Sequence, residues 1–382
     1  MKTYIEINAA HLVHNLSEFR KLTHEQKIMF VVKGNAYGHG LKEIVSITRA
    51  LSFIHYYAVD SVEEALIVHA VDPDKKILII GWADSDQIKE IILNHFEMVV
   101  PSIEYLEEVN ALAGQLKQKA LVHLKVETGT SRMGMRPTEI VDIVKGSLHP
   151  SNPEYPEHVL MVGLYSHFAN IEDTTDHSYA QQQLTVFTQL VEQLMPEGER
   201  LLKHFSCSAS ALLFPKTYFD IVRVGISAYG FWPSKPTYVS YIEKGNTPIK
   251  LKPVLSWYSR VAQVKTVEKG ESVGYGLTYR AFGRSKIIVV PVGYYDGYDR
   301  KLSGAATIIV NGVNAPLRGR ICMNMFMADV THIDNVKQGD PVVLIGSAGD
   351  ETISADHLAD LCGSINYEVV SRINPLIPRL VI

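Results

Sequence analysis

A chain of 382 residues, 46% hydrophobic and 20% charged, has the composition of a folded globular protein and is too long for one ordinary core, so two domains are expected. A formal net charge of −4 without a basic block gives no electrostatic footprint for nucleic acid or for an anionic membrane surface. With no apolar leader and no apolar window of about 18 residues, the expected location is the cytoplasm. Cys207, Cys322 and Cys362 are widely spaced and fit reduced thiols, and the scattered histidines lack ligand spacing, so no metal is expected.

In chain order, Met1 to Ile7 precedes the first clear strand and is open to pairing with a later domain. From about residue 28 to about 225, short runs rich in β-branched residues alternate with helical patterns. The predicted strands are Ile28 to Val32, Tyr56 to Val59, Ile77 to Gly81, Met98 to Val100, Leu121 to Val126, Leu160 to Tyr165, His204 to Cys207 and Ile221 to Val224. Helices are predicted at Ser61 to Ala70, Ser102 to Leu116 and Ser178 to Met195, with Ser61 and Ser102 as N-caps. Eight strand-helix alternations predict a (β/α)8 TIM barrel, with its site at the C-terminal ends of the strands. Lys33, Arg132, His167 and Ser208 each follow a predicted strand closely, Arg223 lies in the last one, and all should gather there.

Beyond Gly230 the texture changes. Pro233, Pro236, Gly245 and Pro248 read as a linker, and later runs separated by turn signals such as Asn311-Gly312 predict a mostly β domain. The expected division is a barrel over residues 8–235 and a C-terminal β domain over 236–382, with 1–7 open to joining the second.

The segment Val32-Lys33-Gly34-Asn35-Ala36-Tyr37-Gly38-His39-Gly40 sets one lysine where a buried strand opens into a glycine-rich turn. Partial desolvation there lowers a lysine pKa and suits a Schiff-base nucleophile, and the turn offers backbone and hydroxyl donors to an anion. An ordinary solvated strand end fits the same residues.

Together with seven further blocks in order, this segment resembles the alanine racemase family from about Tyr4 to Pro378. The blocks are HLKVETGTSRMG from His123, GLYSHFA from Gly163, RVGISAYG from Arg223, VGYGLTY from Val273, GYYDGY from Gly293, GRICMN from Gly319 and INYEV from Ile365. The resemblance implies a pyridoxal 5'-phosphate-dependent racemase that interconverts L- and D-alanine for peptidoglycan. Lys33 would carry the cofactor and serve one face of the substrate, and Tyr275 would serve the other, since inversion needs an acid/base group on each side. Tyr275 would be assisted through His167 and Arg223, and Arg223, a permanent donor, would keep the cofactor ring nitrogen unprotonated.

The same resemblance gives phosphate contacts to Tyr37, Ser208, the amides of Gly225 and Ile226, and Tyr367. It gives the cofactor and the substrate carboxylate to Arg132, the carboxylate also to Met323, and carbamylation to Lys125. Glu172, Tyr294, Tyr298, Arg300 and Arg320 would line an access channel, and a homodimer would share its sites between subunits. Three positions depart from the common pattern: Gly34 for alanine, Cys207 for asparagine and Asn324 for aspartate. A serine or broad-specificity racemase, a decarboxylase of the same fold and a non-catalytic pyridoxal phosphate-binding protein are the alternatives.

Overall fold

The computed structural model describes residues 1–146 and 156–382. Two compact units emerge, one of 13–34 and 44–251, the other of 1–12, 35–43 and 252–382.

The first unit is built on an eight-stranded sheet. In chain order its strands are Ile28–Val31, Ile54–Val59, Lys76–Ile79, Glu97–Val100, Ala120–Lys125, Val159–Tyr165, Leu202–His204 and Val222–Val224. All neighbours pair in parallel, and Val222–Val224 returns to pair with Ile28–Val31, so the sheet curls into a nearly closed barrel. Strands such as Ile28–Val31 are buried at every position, as expected where helices cover one face and the barrel interior fills the other. The helices Val62–Val71 and Ile103–Leu116 start where Ser61 and Ser102 accept N–H bonds from Glu64 and Tyr105.

Two local readings are corrected. The seventh strand ends at His204; Cys207 instead precedes a helix, Ser208–Leu213, and its N–H goes to Ser210 Oγ at 2.8 Å. The stretch read as a linker contains the helix Lys235–Glu243, because Ser234 caps it and Pro236 lies in the first turn, where no N–H is needed.

The second unit is mostly β. Its seven-stranded sheet sets Thr3–Ile7 between Leu255–Arg260, antiparallel, and Arg379–Val381, parallel. Thr3, Ile5 and Ile7 face inward and Tyr4 and Glu6 do not, the period of two of a strand with one buried face. A three-stranded sheet of Gln263–Val267, Ser285–Val290 and Phe326–Asp329 lies in the same unit, with the short antiparallel pair Ser272–Val273 and Tyr279–Arg280.

Candidate active site

In the barrel unit, Lys33 follows the buried Val31 and Val32, and Val32 donates its N–H to the Ala58 carbonyl at 2.9 Å. The glycine-rich turn that follows, which passes from Asn35 into the second unit, is left-handed helical, with φ of +64° at Gly34 and +54°, +53° and +52° at Asn35, Ala36 and Tyr37. Such a conformation costs an L-residue about 1–2 kcal/mol. Asn35 holds the turn in place by accepting from Leu41 N at 2.8 Å and, through its carbonyl, from Gly40 N at 3.0 Å.

Arg223 is buried and heavily restrained. One terminal nitrogen donates to His204 Nδ1 at 2.8 Å and to the His204 carbonyl at 2.9 Å. The other donates to the Ser166 and Phe205 carbonyls at 2.9 and 3.2 Å, and lies 3.5 Å from His167 Nδ1. Because arginine only donates, His167 Nδ1 accepts and the ring proton sits on Nε2. Burial, then the charges of Arg223, Arg132, Lys125 and Lys33, hold His167 well below the ordinary histidine range. The barrel mouth is therefore a neutral imidazole among four cations.

Lys125 is also buried, its ammonium 5.3 Å from the Tyr165 ring centre. Among the described residues no carboxylate pairs with it. Arg132 is exposed at the edge, on a loop tied down by Glu127, which accepts from Thr130 N at 2.6 Å, and by Thr130 Oγ1, which donates to the His167 carbonyl at 2.8 Å. Ser208 Oγ accepts from Gly225 N at 3.0 Å, and the buried Ser227 hydroxyl beside it has no hydrogen-bond partner among the described residues. Ile226 opens the short turn Ile226–Tyr229 next to them. These hydroxyls and amides form a donor set for an anion, and among the described residues no hydrogen bond engages Arg223 Nε. Both features suit pyridoxal phosphate: an anion at Ser208 and Ser227, and a ring nitrogen at Arg223. Glu172 lies beside Cys207, with Sγ 3.9 Å from Oε1; burial, then Glu172, push the thiol up to about 11.

In the β unit, Tyr275 sits at the tip of the hairpin Ser272–Arg280 and is 72% exposed. Gly274 and Gly276 flank it with φ of +77° and +73°. A side chain at Gly274 would strike Met327 Cε at 2.7 Å, and one at Gly276 would strike the Arg320 guanidinium at 2.9 Å. Val267, Val273, Ala281, Ile287 and Met327 bury together under the hairpin base, so a rigid base carries an exposed tip. Tyr294 N donates to the Cys322 carbonyl at 3.1 Å and Tyr295 N to that of Met323 at 3.0 Å, which places Met323 beside Tyr294. Arg300 starts a short turn close by. The rings of Tyr37 and Tyr367 are 6.0 Å apart. Tyr298, read as a channel residue, is buried between Trp257 and Phe326 at centroid distances of 5.8 and 5.1 Å; its ring belongs to the core.

Residues 7–233 match the family model for the alanine racemase N-terminal domain, and 254–381 that for the C-terminal domain. The chain belongs to the alanine racemase family. An alanine racemase of Leptospira interrogans is 36% identical over 384 residues, covering 100% of this chain and 96% of the relative. Among solved structures, the alanine racemase of Clostridium difficile 630 superimposes with a TM-score of 0.90 at 29% identity, covering 100% of this chain and 96% of that one. The alanine racemase of Bartonella henselae with covalently bound pyridoxal phosphate gives 0.85 at 26% identity, covering all of both chains.

Three polar residues inside the racemase barrel escaped the sequence reading: Glu97, His123 and His204. Glu97 opens its strand and His204 closes its own, while His123 interrupts an apolar strand run. That interruption was the available signal, since a barrel interior leaves no solvent for such groups.

Proposed function

We propose that this chain interconverts L-alanine and D-alanine with pyridoxal 5'-phosphate held on Lys33. The observation that carries the reading is the barrel mouth, in which Arg223, held on the Ser166 and His204 carbonyls, lies 3.5 Å from His167 Nδ1, and the charges of Lys33, Lys125 and Arg132 act on the same ring. When bound, the cofactor acidifies the substrate's α-hydrogen by drawing electrons into its ring. Ser208, the amides of Gly225 and Ile226, Tyr37 and Tyr367 would hold its phosphate. Arg223 Nε would face its ring nitrogen and, as a group that donates and never accepts, leave that nitrogen without a proton. Arg132 and the Met323 amide would hold the substrate carboxylate. The buried, carboxylate-free Lys125 would take up carbon dioxide to become a carbamate that orients Arg132.

Lys33 exchanges a proton with the α-carbon on one face and Tyr275 does so on the other. His167 Nε2–H supports the tyrosine oxygen when it has given up its proton. The exposure of Tyr275, with Phe282 87% and Tyr295 58% exposed in the same unit, supports a homodimer in which this face covers a second copy's barrel. Glu172, Tyr294, Arg300 and Arg320 would line the access channel. Family membership supports a cytoplasmic role in making D-alanine for peptidoglycan.

The test is α-hydrogen exchange in heavy water with L-alanine and L-serine, read with chiral product analysis on protein supplied with pyridoxal phosphate. Exchange with D-alanine formation, lost in Lys33→Ala and in Tyr275→Phe, is expected. Exchange without inversion, or activity on serine alone, would sink the reading.

A further inference from the structure

Polar side chains cross the barrel interior in one hydrogen-bonded row. Lys76 Nζ lies 3.0 Å from Glu97 Oε1, and Tyr56 donates its hydroxyl to the same oxygen at 3.2 Å. Glu97 Oε2 is 2.6 Å from His123 Nε2, and His123 Nδ1 is 2.8 Å from His204 Nε2. His204 Nδ1 is the atom to which Arg223 donates at 2.8 Å. Lys76 and Glu97 open their strands and His204 closes its own, so the row runs from the N-terminal end of the barrel toward the mouth.

The protons in this row are determined by its one unambiguous end. Arginine only donates, so His204 Nδ1 accepts and its proton sits on Nε2. That N–H points at His123 Nδ1, which must accept in turn, so the His123 proton sits on Nε2 and goes to Glu97. A proton on His123 Nδ1 would leave His204 Nε2 bare and force the His204 proton against the N–H of Arg223. Burial, then the charge of Arg223, hold His204 well below its ordinary range. Burial raises Glu97; the hydrogen bond from His123, then the charge and hydrogen bond of Lys76, act against it, and the carboxyl stays below its ordinary value. Among the described residues no carboxylate touches the buried Arg223. Its remaining titratable or charged neighbours are Tyr165, whose ring it covers at 4.8 Å, Cys207, His167 and the mouth cations. Gly163 belongs to the device as well: a side chain there would meet His123 Nδ1 at 2.0 Å.

We infer that Glu97 is the remote counter-ion and positioning residue of Arg223: through two neutral imidazoles of fixed tautomer it sets how much positive charge Arg223 presents at the barrel mouth. This rests on the proposed function in one respect, that the mouth holds pyridoxal phosphate on Lys33. Two measurements test it. Nitrogen-15 NMR of histidine-labelled protein, which needs no cofactor, should show both His123 and His204 protonated on Nε2 in wild type and in Glu97→Gln, which keeps an acceptor. In the holoenzyme, the visible absorbance of the cofactor is followed against pH, since it reports a protonated, cationic nitrogen at Lys33. Glu97→Gln removes a negative charge and should move that titration down by on the order of one pH unit. Lys76→Met removes a positive charge and should move it up by less, because Lys76 is more exposed and better screened. A purely structural role would not give opposite signs. A proton on Nδ1 of either ring, shifts of the same sign, or no shift in Glu97→Gln would overturn the inference. A wild type that takes up no pyridoxal phosphate overturns both readings; one that takes it up without inverting alanine overturns the proposed function alone.

Discussion

The two units hold their functional side chains in opposite ways. In the barrel, Arg223 is buried and spends its terminal N–H groups on fixed acceptors, and Lys33 follows the buried Val31 and Val32. In the β unit, Tyr275 stands exposed between two glycines of positive φ, with only the base of its hairpin packed. Groups that must stay oriented without water are over-restrained. Tyr275, proposed to finish a site on a second copy, is presented on a packed base and left open.

The largest expected effect breaks that comparison directly. Lys33→Ala and Tyr275→Phe should each lower alanine racemisation by on the order of a thousandfold or more. Mixing and re-equilibrating the two inactive proteins should restore about a quarter of wild-type activity, because half of the dimers would carry one intact shared site in two. No recovery would mean that each chain completes its own site.

Next in size is a contrast in acid sensitivity. His39, buried in the β unit, is lowered by burial to about 4, below the ordinary 6.5 of histidine. The unfolded chain protonates this ring below about pH 6.5 while the folded one stays neutral down to about 4. Its contribution is thus fully present above the unfolded value and is lost as pH falls through that window, by about 3 kcal/mol. Urea unfolding of wild type and His39→Gln at several pH values measures it, and the variant should show a flatter slope between pH 6.5 and 4.

Gly163→Ala should destabilise the barrel by about 2 kcal/mol, since the added methyl collides with His123; thermal unfolding reads this, and an unchanged midpoint would show that the ring can move. The smallest effect belongs to Cys207→Asn, which restores the commoner residue beside Glu172 and should change KM for alanine by less than about threefold. A larger change would show that Cys207 sets specificity.

Much of the barrel was legible because a strand buried on both faces must be a nearly continuous apolar run, and serine caps announce helix starts. Lys33, Arg223 and Tyr275 were legible only through ordered motif blocks, since each alone fits a bland role. The left-handed turn at Gly34 to Tyr37 was only half legible: Gly34 and Asn35 tolerate positive φ, but Ala36 and Tyr37 carry no marker for it. The helix Lys235–Glu243 was masked by prolines that read as breakers and act as starters. The row from Glu97 to His204 was invisible because the pairing of the four strands from Glu97–Val100 to Leu202–His204, not spacing along the chain, brings its members together.

The position of Thr3–Ile7 also has a consequence for biosynthesis. This strand is made well before its partners, Leu255–Arg260 and Arg379–Val381, which follow at least about 250 residues later. At ribosomal speeds the wait lasts on the order of tens of seconds, while the barrel can already form. During it the nascent chain carries an unpaired strand edge whose buried-face residues are Thr3, Ile5 and Ile7, the kind of edge that chaperones shield and that neighbouring nascent copies can capture.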